Sequence, residues 1–196
     1  MALLQVENLA KNFNGAQAVD GLSFGVEEGR ITALIGPNGS GKTVTFNMIA
    51  GLYKPAAGRI VFKGKDITGL PPFRIFDLGI GRTFQTIRLF PQMTVLDNLL
   101  LGLRYKEGES LYAASFRTKA MQREEEENRA KAQELLRLID LEGKRDELAA
   151  NLSHGQRRLL EIARTLGSEP EFFLFDEPTA GVFPHTLPQL LEIIRG

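Results

Sequence analysis

Gly36-Pro37-Asn38-Gly39-Ser40-Gly41-Lys42-Thr43 fills every fixed position of the phosphate-loop pattern G-x-x-x-x-G-K-[ST]. The glycines let the main chain curl so that successive N–H groups face one concavity. A helix beginning at that point adds its partial positive charge, so a polyphosphate is held mostly by backbone. Lys42 is then placed to reach the terminal phosphates, and Thr43 to put its hydroxyl on Mg²⁺.

Two further stretches carry chemistry. Glu171-Phe172-Phe173-Leu174-Phe175-Asp176-Glu177-Pro178 is an apolar run that ends in adjacent carboxylates and is stopped by proline. Such a run reads as a strand buried on both faces, whose last residues emerge at the carboxyl edge of a parallel sheet. Asp176 is placed there to hold Mg²⁺ through its water shell, and Glu177 to accept a proton from an attacking water. In Leu152-Ser153-His154-Gly155-Gln156, Ser153 and Gln156 have capping-box spacing, which explains the segment as a helix start. The same hydroxyl, with the close-approach Gly155, also suits a second anion site, one that serves a nucleotide on a neighbouring chain. Gln85 reads either as a surface amide or as a strand-end ligand near Mg²⁺. Phe13 is either a core aromatic or a ring that stacks on a base.

The elements that must position these residues follow from pattern. Arg30 to Ile35 predicts the short buried parallel strand that feeds the phosphate loop. Val44, Met48 and Ile49 recur at helical spacing beyond the loop, with Gly51 at the helix end and Pro55 preventing resumption. Leu3 to Asn8, Ala18 to Val26 and Gly58 to Gly64 read as strands of an antiparallel sheet, with Asn14-Gly15 and Glu28-Gly29 as turns. Pro71-Pro72 opens a short helix to about Leu78, and Gly81 to Phe84 leads as a strand to Gln85. Further on, Thr94 and Asp97 have capping-box spacing before Leu99. Glu124 to Ile139 is an amphipathic helix with Glu125–Arg129 and Glu127–Lys131 at ion-pair spacing, and Arg157 to Leu166 is another helix. Residues 88–150 therefore read as a helical lobe inserted between core segments 1–87 and 151–196 of one domain.

With 196 residues the chain suits one α/β domain, and two nucleotide domains do not fit. Its 24 basic and 24 acidic side chains cancel, which argues against nucleic acid as a partner. There is no cysteine, hence no disulfide and no cysteine metal site. Met1 to Glu7 lacks the layout of a signal peptide, and no stretch approaches the roughly twenty apolar residues of a membrane span, so any membrane role is expected through partners.

In order, GPNGSGKT, Gln85, LSHGQ and FFLFDEP resemble the ATP-binding subunits of ABC transporters over essentially the whole chain, with LSHGQ similar to that family's LSGGQ signature. Arg82-Thr83-Phe84-Gln85, Thr94 to Leu100 and Arg158 to Arg164 are most similar to branched-chain amino acid importers. The resemblance implies a P-loop α/β core with an antiparallel β subdomain and an inserted helical lobe. It also implies Mg²⁺-dependent ATP hydrolysis at the cytoplasmic face of the membrane, in a dimer of ATPase subunits docked on integral membrane permeases. Phe13 would stack on adenine, and Gln85 would link the nucleotide to the membrane subunits. Ser153, Gly155 and Gln156 would face ATP bound to the opposite subunit. Two alternatives remain at this point, an ATPase of lipid or lipopolysaccharide export and a nucleotide-binding regulatory module with little turnover. The sequence departs from the pattern at His154, which replaces a signature glycine, and at Phe183, where the family has asparagine or aspartate. No counterpart of the switch histidine is present, since His185 comes too early. The chain accordingly reads as part of a longer subunit.

Overall fold

Asn14-Gly15 sets the first feature of the fold. Both residues have positive φ, 48° and 87°, the backbone that a two-residue hairpin turn needs to match strand twist. They join β1 (Ala2–Phe13) to β2 (Ala16–Glu27). Lys63-Gly64, again with positive φ, joins β3 (Ala57–Phe62) to β4 (Lys65–Asp66). Because β3 takes the other edge of β1, the result is a four-stranded antiparallel sheet in the order β2-β1-β3-β4. The computed structural model describes residues 2–83, 87–103 and 119–177. It divides the chain into two units, Met1–Ile80, which holds this sheet, and Gly81–Gly196.

Along β1 the buried residues are Leu4, Val6 and then Leu9. Strict alternation would turn Leu9 to the opposite face from Val6. A bulge resolves the conflict: Glu7 pairs with Arg59 and Ala10 with Ala57, so β1 carries one residue more than β3 between these pairs. Asn8, at φ 46°, lies in this bulge, and a Cβ on Gly58 would stand 2.3 Å from its carbonyl oxygen. Only glycine fits there.

Helix α1 (Lys42–Ile49) follows the phosphate loop and buries Thr45, Met48 and Ile49. It ends as the sequence predicts, at Gly51 with φ 75°. The Gly51 N–H donates to Met48 at 3.1 Å and the Leu52 N–H to Asn47 at 2.8 Å, so the last carbonyls are satisfied. Helix α2 (Pro72–Asp77) starts at its proline, again as predicted. The segment Arg30 to Ile35 does not behave as expected. It forms no strand, and Ile31 and Ile35 are 72% and 89% exposed. A parallel strand acquires its ladder from segments distant in sequence, and among the described residues of the first unit every ladder is antiparallel and closes without this run. Its apolar content alone does not make it a strand.

Strand β5 (Ile80–Arg82) pairs with β6 (Phe172–Leu174), and the Thr83 N–H extends the pairing to the Leu174 carbonyl at 3.1 Å. Helices α3 (Val95–Leu100), α4 (Lys119–Leu138) and α5 (His154–Gly167) surround one apolar cluster that includes Leu99, Leu136, Leu159, Leu160 and Ile162. Thr94 caps α3 by accepting from the Asp97 N–H at 3.0 Å. Buried Asn98 fixes the chain ahead of that cap: its Oδ1 accepts from the Phe90 N–H at 2.8 Å and its Nδ2 donates to the Phe90 and Thr94 carbonyls. On α4 the Glu125–Arg129 pair is present at 3.8 Å. The expected Glu127–Lys131 pair is not formed, because Glu127 accepts from Arg123 at 3.0 Å while Lys131 reaches out to Glu169 near β6. The two competing partners carry the same charges, so spacing alone does not choose between them.

The bulge yields a contrast to test. Gly58→Ala places a methyl against main chain and is expected to cost roughly 3 kcal/mol, a fall in Tm of about 6–12 °C. Gly64→Ala, at positive φ but with open space around it, should cost about 1 kcal/mol. Thermal unfolding followed by circular dichroism compares them, and equal shifts would refute a steric requirement at Gly58.

Candidate functional site

The loop Gly36 to Thr43 is held by its own main chain. Gly39 and Gly41 have φ of 83° and 87°, and the Ser40 N–H donates to the Pro37 carbonyl at 3.2 Å. A Cβ on Gly41 would meet the Ala18 carbonyl at 2.3 Å, so close approach to main chain requires glycine there, while one on Gly36 would meet only the rotatable Ser40 hydroxyl at 2.5 Å. Gly41 is the residue before the first turn of α1, and no side chain caps that helix start. The first N–H groups of the helix are therefore offered to an outside acceptor, in line with the positive end of its dipole. Lys42 folds back over the loop, and its Nζ donates to the carbonyls of Gly36 at 2.8 Å and Pro37 at 2.9 Å. Asn38 follows Pro37 in the loop, and Thr43 stands one residue further into the helix than Lys42. A concavity of main-chain donors with a lysine ammonium at its rim is a receptor for a polyphosphate.

Phe13 is 40% exposed at the end of β1, which excludes the core reading. Its ring meets Tyr53 edge to face at 5.3 Å, with the Lys11 ammonium 5.2 Å above it. Phe13 pairs with Ala16 across the hairpin, and Ala18 is the residue against which Gly41 packs.

In the second unit Asp176 follows β6 and is only 3% exposed. Its Oδ2 accepts from Arg82 Nη2 at 3.2 Å. Glu177 is exposed and has φ 49°, a left-handed conformation that costs a residue with a Cβ on the order of 1 kcal/mol. Behind these carboxylates Arg158 is 2% exposed. Its Nη1 donates to Glu161 at 2.7 Å, and its Nη2 to the main-chain carbonyls of Asp176 at 3.0 Å and Glu177 at 3.1 Å. Arg82, Arg158 and Glu161 escaped the sequence reading. A signal was present, since Arg158 and Glu161 are opposite charges three apart, set among leucines and isoleucine in one helix, where a solvated pair has no reason to stand.

At the start of α5 the capping box forms in full. The Ser153 hydroxyl accepts from the Gln156 N–H at 3.3 Å, and Gln156 Oε1 accepts from the Ser153 N–H at 3.0 Å. Gly155 is buried and His154 exposed. Gln85, Phe183 and His185 lie outside the described residues.

Similarity to known proteins shows the family of this chain. The family model described as "ABC transporter" matches residues 19–180. The chain belongs to the ABC transporter family. It is an ATPase domain of the ABC type. Over 192 residues it is 43% identical to the probable branched-chain amino acid transport ATP-binding protein LivG of Archaeoglobus fulgidus, covering 98% of this chain and 74% of that one. The nucleotide-free crystal structure of an ATP-binding cassette from an ABC transporter is 40% identical, with a TM-score of 0.82, covering 100% of this chain and 76% of the other. A dimeric post-hydrolysis cassette bound to ADP and Pi is 26% identical with a TM-score of 0.80, covering 97% and 81%. The P-loop α/β fold expected from the sequence is thus the fold of this ABC ATPase. Among its described residues no helix is long and apolar enough to cross a membrane.

Because the loop shape rests on main chain, Lys42→Ala should leave the fold intact, at a cost of about 1 kcal/mol in stability. Loss of one charge-assisted contact to phosphate should weaken ATP binding roughly ten- to a hundredfold. Titration with labelled ATP, with circular dichroism as control, measures both, and unchanged affinity would sink the phosphate-loop assignment.

Proposed function

We propose that this chain binds ATP with Mg²⁺ and hydrolyses it to power import of branched-chain or other hydrophobic amino acids through separate integral membrane permease subunits. The chief support is its 43% identity over 98% of the chain to an archaeal protein named for branched-chain amino acid transport. In this reading it works on the cytoplasmic side, peripheral to the membrane, with residues 88–150 as its helical lobe. Two subunits sandwich two nucleotides, a reading supported by the dimeric cassette with ADP and Pi.

The roles follow from the chemistry of each group. Main-chain N–H groups of Gly36 to Thr43, together with Lys42, bind the phosphates, and exposed Phe13 stacks on the adenine. Mg²⁺ takes hard oxygen donors and keeps several waters, which the Thr43 hydroxyl and the Asp176 carboxylate fit, with Gln85 as a further oxygen donor. When bound, the cation neutralises charge on the transferring phosphoryl group. Asp176 already has a cationic partner in Arg82, so its carboxylate is paired and oriented inside the protein. Glu177, free of burial, accepts the proton of the attacking water. Ser153 closes on the terminal phosphate held by the other subunit. Its hydroxyl oxygen accepts the cap bond from the Gln156 N–H at 3.3 Å and leaves its proton to donate to a phosphate oxygen, and Gly155 and Gln156 complete that contact.

Glu177→Gln removes the base and leaves both phosphate contacts. Turnover should fall by about 10²- to 10⁴-fold while ATP binding persists, and an ATP-bound dimer should accumulate. Phosphate release and size exclusion in Mg²⁺-ATP test this together. A monomeric variant with undiminished turnover would refute both the base and the sandwich. For the cargo, purified subunit added to its reconstituted permeases should raise ATPase activity with leucine or valine supplied, and no stimulation by either would remove the amino acid reading.

A further inference from the structure

From the buried charges behind the carboxylates we infer that Arg158 and Glu161 are a positioning pair, which sets the backbone of Asp176 and Glu177 and couples it to helix α5 and to the segment at Arg88. The inference rests on the ATPase reading above, in which Glu177 is the base.

A guanidinium has five donors in a fixed plane, so its bonds constrain direction as well as distance. Here Nη2 donates to two successive carbonyls, at 3.0 Å and 3.1 Å, and thereby fixes the peptide planes on both sides of Glu177. Those planes determine where the Glu177 side chain leaves the main chain. Glu177 sits at φ 49°, and such a conformation persists only where surrounding structure over-determines it. The Arg158 fork reaches both carbonyls and so supplies part of that surrounding structure.

Glu161 holds the fork in turn. Its Oε2 accepts from Arg158 Nη1 at 2.7 Å, and its Oε1 accepts from the Arg88 N–H at 3.3 Å. Glu161 is buried, so both oxygens are committed to the protein. Arg88 follows Gln85 by three residues, and Arg158 follows Ser153 by five on the same helix. The pair therefore links the main chain of the proposed base to two other segments of the proposed machinery. A shift of α5 or of Arg88 is transmitted to the carbonyls of Asp176 and Glu177 through two charge-assisted bonds.

A purely structural ion pair and a positioning pair differ in one respect. Replacing a buried ion pair with apolar residues of similar volume commonly preserves stability, whereas removing one partner strands the other charge. Apolar residues supply no donor to the two carbonyls. Hydrolysis, ATP affinity and Tm are therefore measured for the wild type, Arg158→Lys, Arg158→Met and Arg158→Met/Glu161→Leu. Arg158→Met should lower Tm by roughly 10 °C, and the double variant should regain most of it. ATP affinity should stay within about threefold throughout. In all three variants kcat should fall roughly a hundredfold with KM little changed, as expected for displacement of a catalytic group by about 1 Å. Arg158→Lys keeps the charge and loses the fork, so it carries the test even if the Met variant does not fold. Recovery of kcat along with Tm in the double variant would overturn the inference and leave a structural role, as would undiminished kcat in Arg158→Lys. A wild type that binds no ATP would instead remove the ATPase reading itself.

Discussion

A helix start exposes N–H groups that have no partner within the helix, and three of the helices here answer that constraint differently. Helix α3 is closed by the Thr94 hydroxyl, and α5 by the reciprocal bonds of Ser153 and Gln156. Helix α1 has no side-chain cap at all. In the loop before it a Cβ at Gly41 would collide with main chain, and Lys42 is held over that loop by two carbonyls. An uncapped start preceded by such a loop costs stability in isolation and is matched to a polyanion. Ser153 stands between these cases, because its hydroxyl oxygen caps its own helix while its proton is the one proposed to reach a phosphate oxygen.

Charge is treated with similar economy in the second unit. Asp176 is buried yet answered by Arg82, and Arg158 is buried yet answered by one carboxylate and two carbonyls. Glu177, the one proposed to act on water, is left exposed. Removal of any one partner would strand a charge inside the protein, which makes the arrangement stiff. Stiffness suits a site whose chemistry depends on position.

Much of this was legible in the sequence because local rules settled it. Asn14-Gly15, Gly51, Pro72, Thr94 and the Ser153–Gln156 box each name their own backbone conformation, and the structure adopts it. The phosphate loop was legible for the same reason. What failed depended on partners far away in the chain. Arg30 to Ile35 has the composition of a buried strand, yet a strand exists only with a ladder beside it. Lys131 had two acidic partners to choose from and took the one from outside its helix. Arg158 and Glu161 were read only as part of a helix, and their burial comes from neighbours distant in the chain.

The order in which the sheet is written into the chain has a consequence for biosynthesis. Among the described residues strands β1, β2, β3 and β4 pair only with one another, and they are complete by Asp66, while β6 and the carboxylates lie beyond residue 170. Hairpins with two-residue turns close over short loops and form quickly. At ordinary rates of translation, about 5–20 residues per second, the sheet has several seconds to form before β6 leaves the ribosome. The nascent chain thus presents a finished antiparallel sheet while half of its proposed catalytic groups are still unmade.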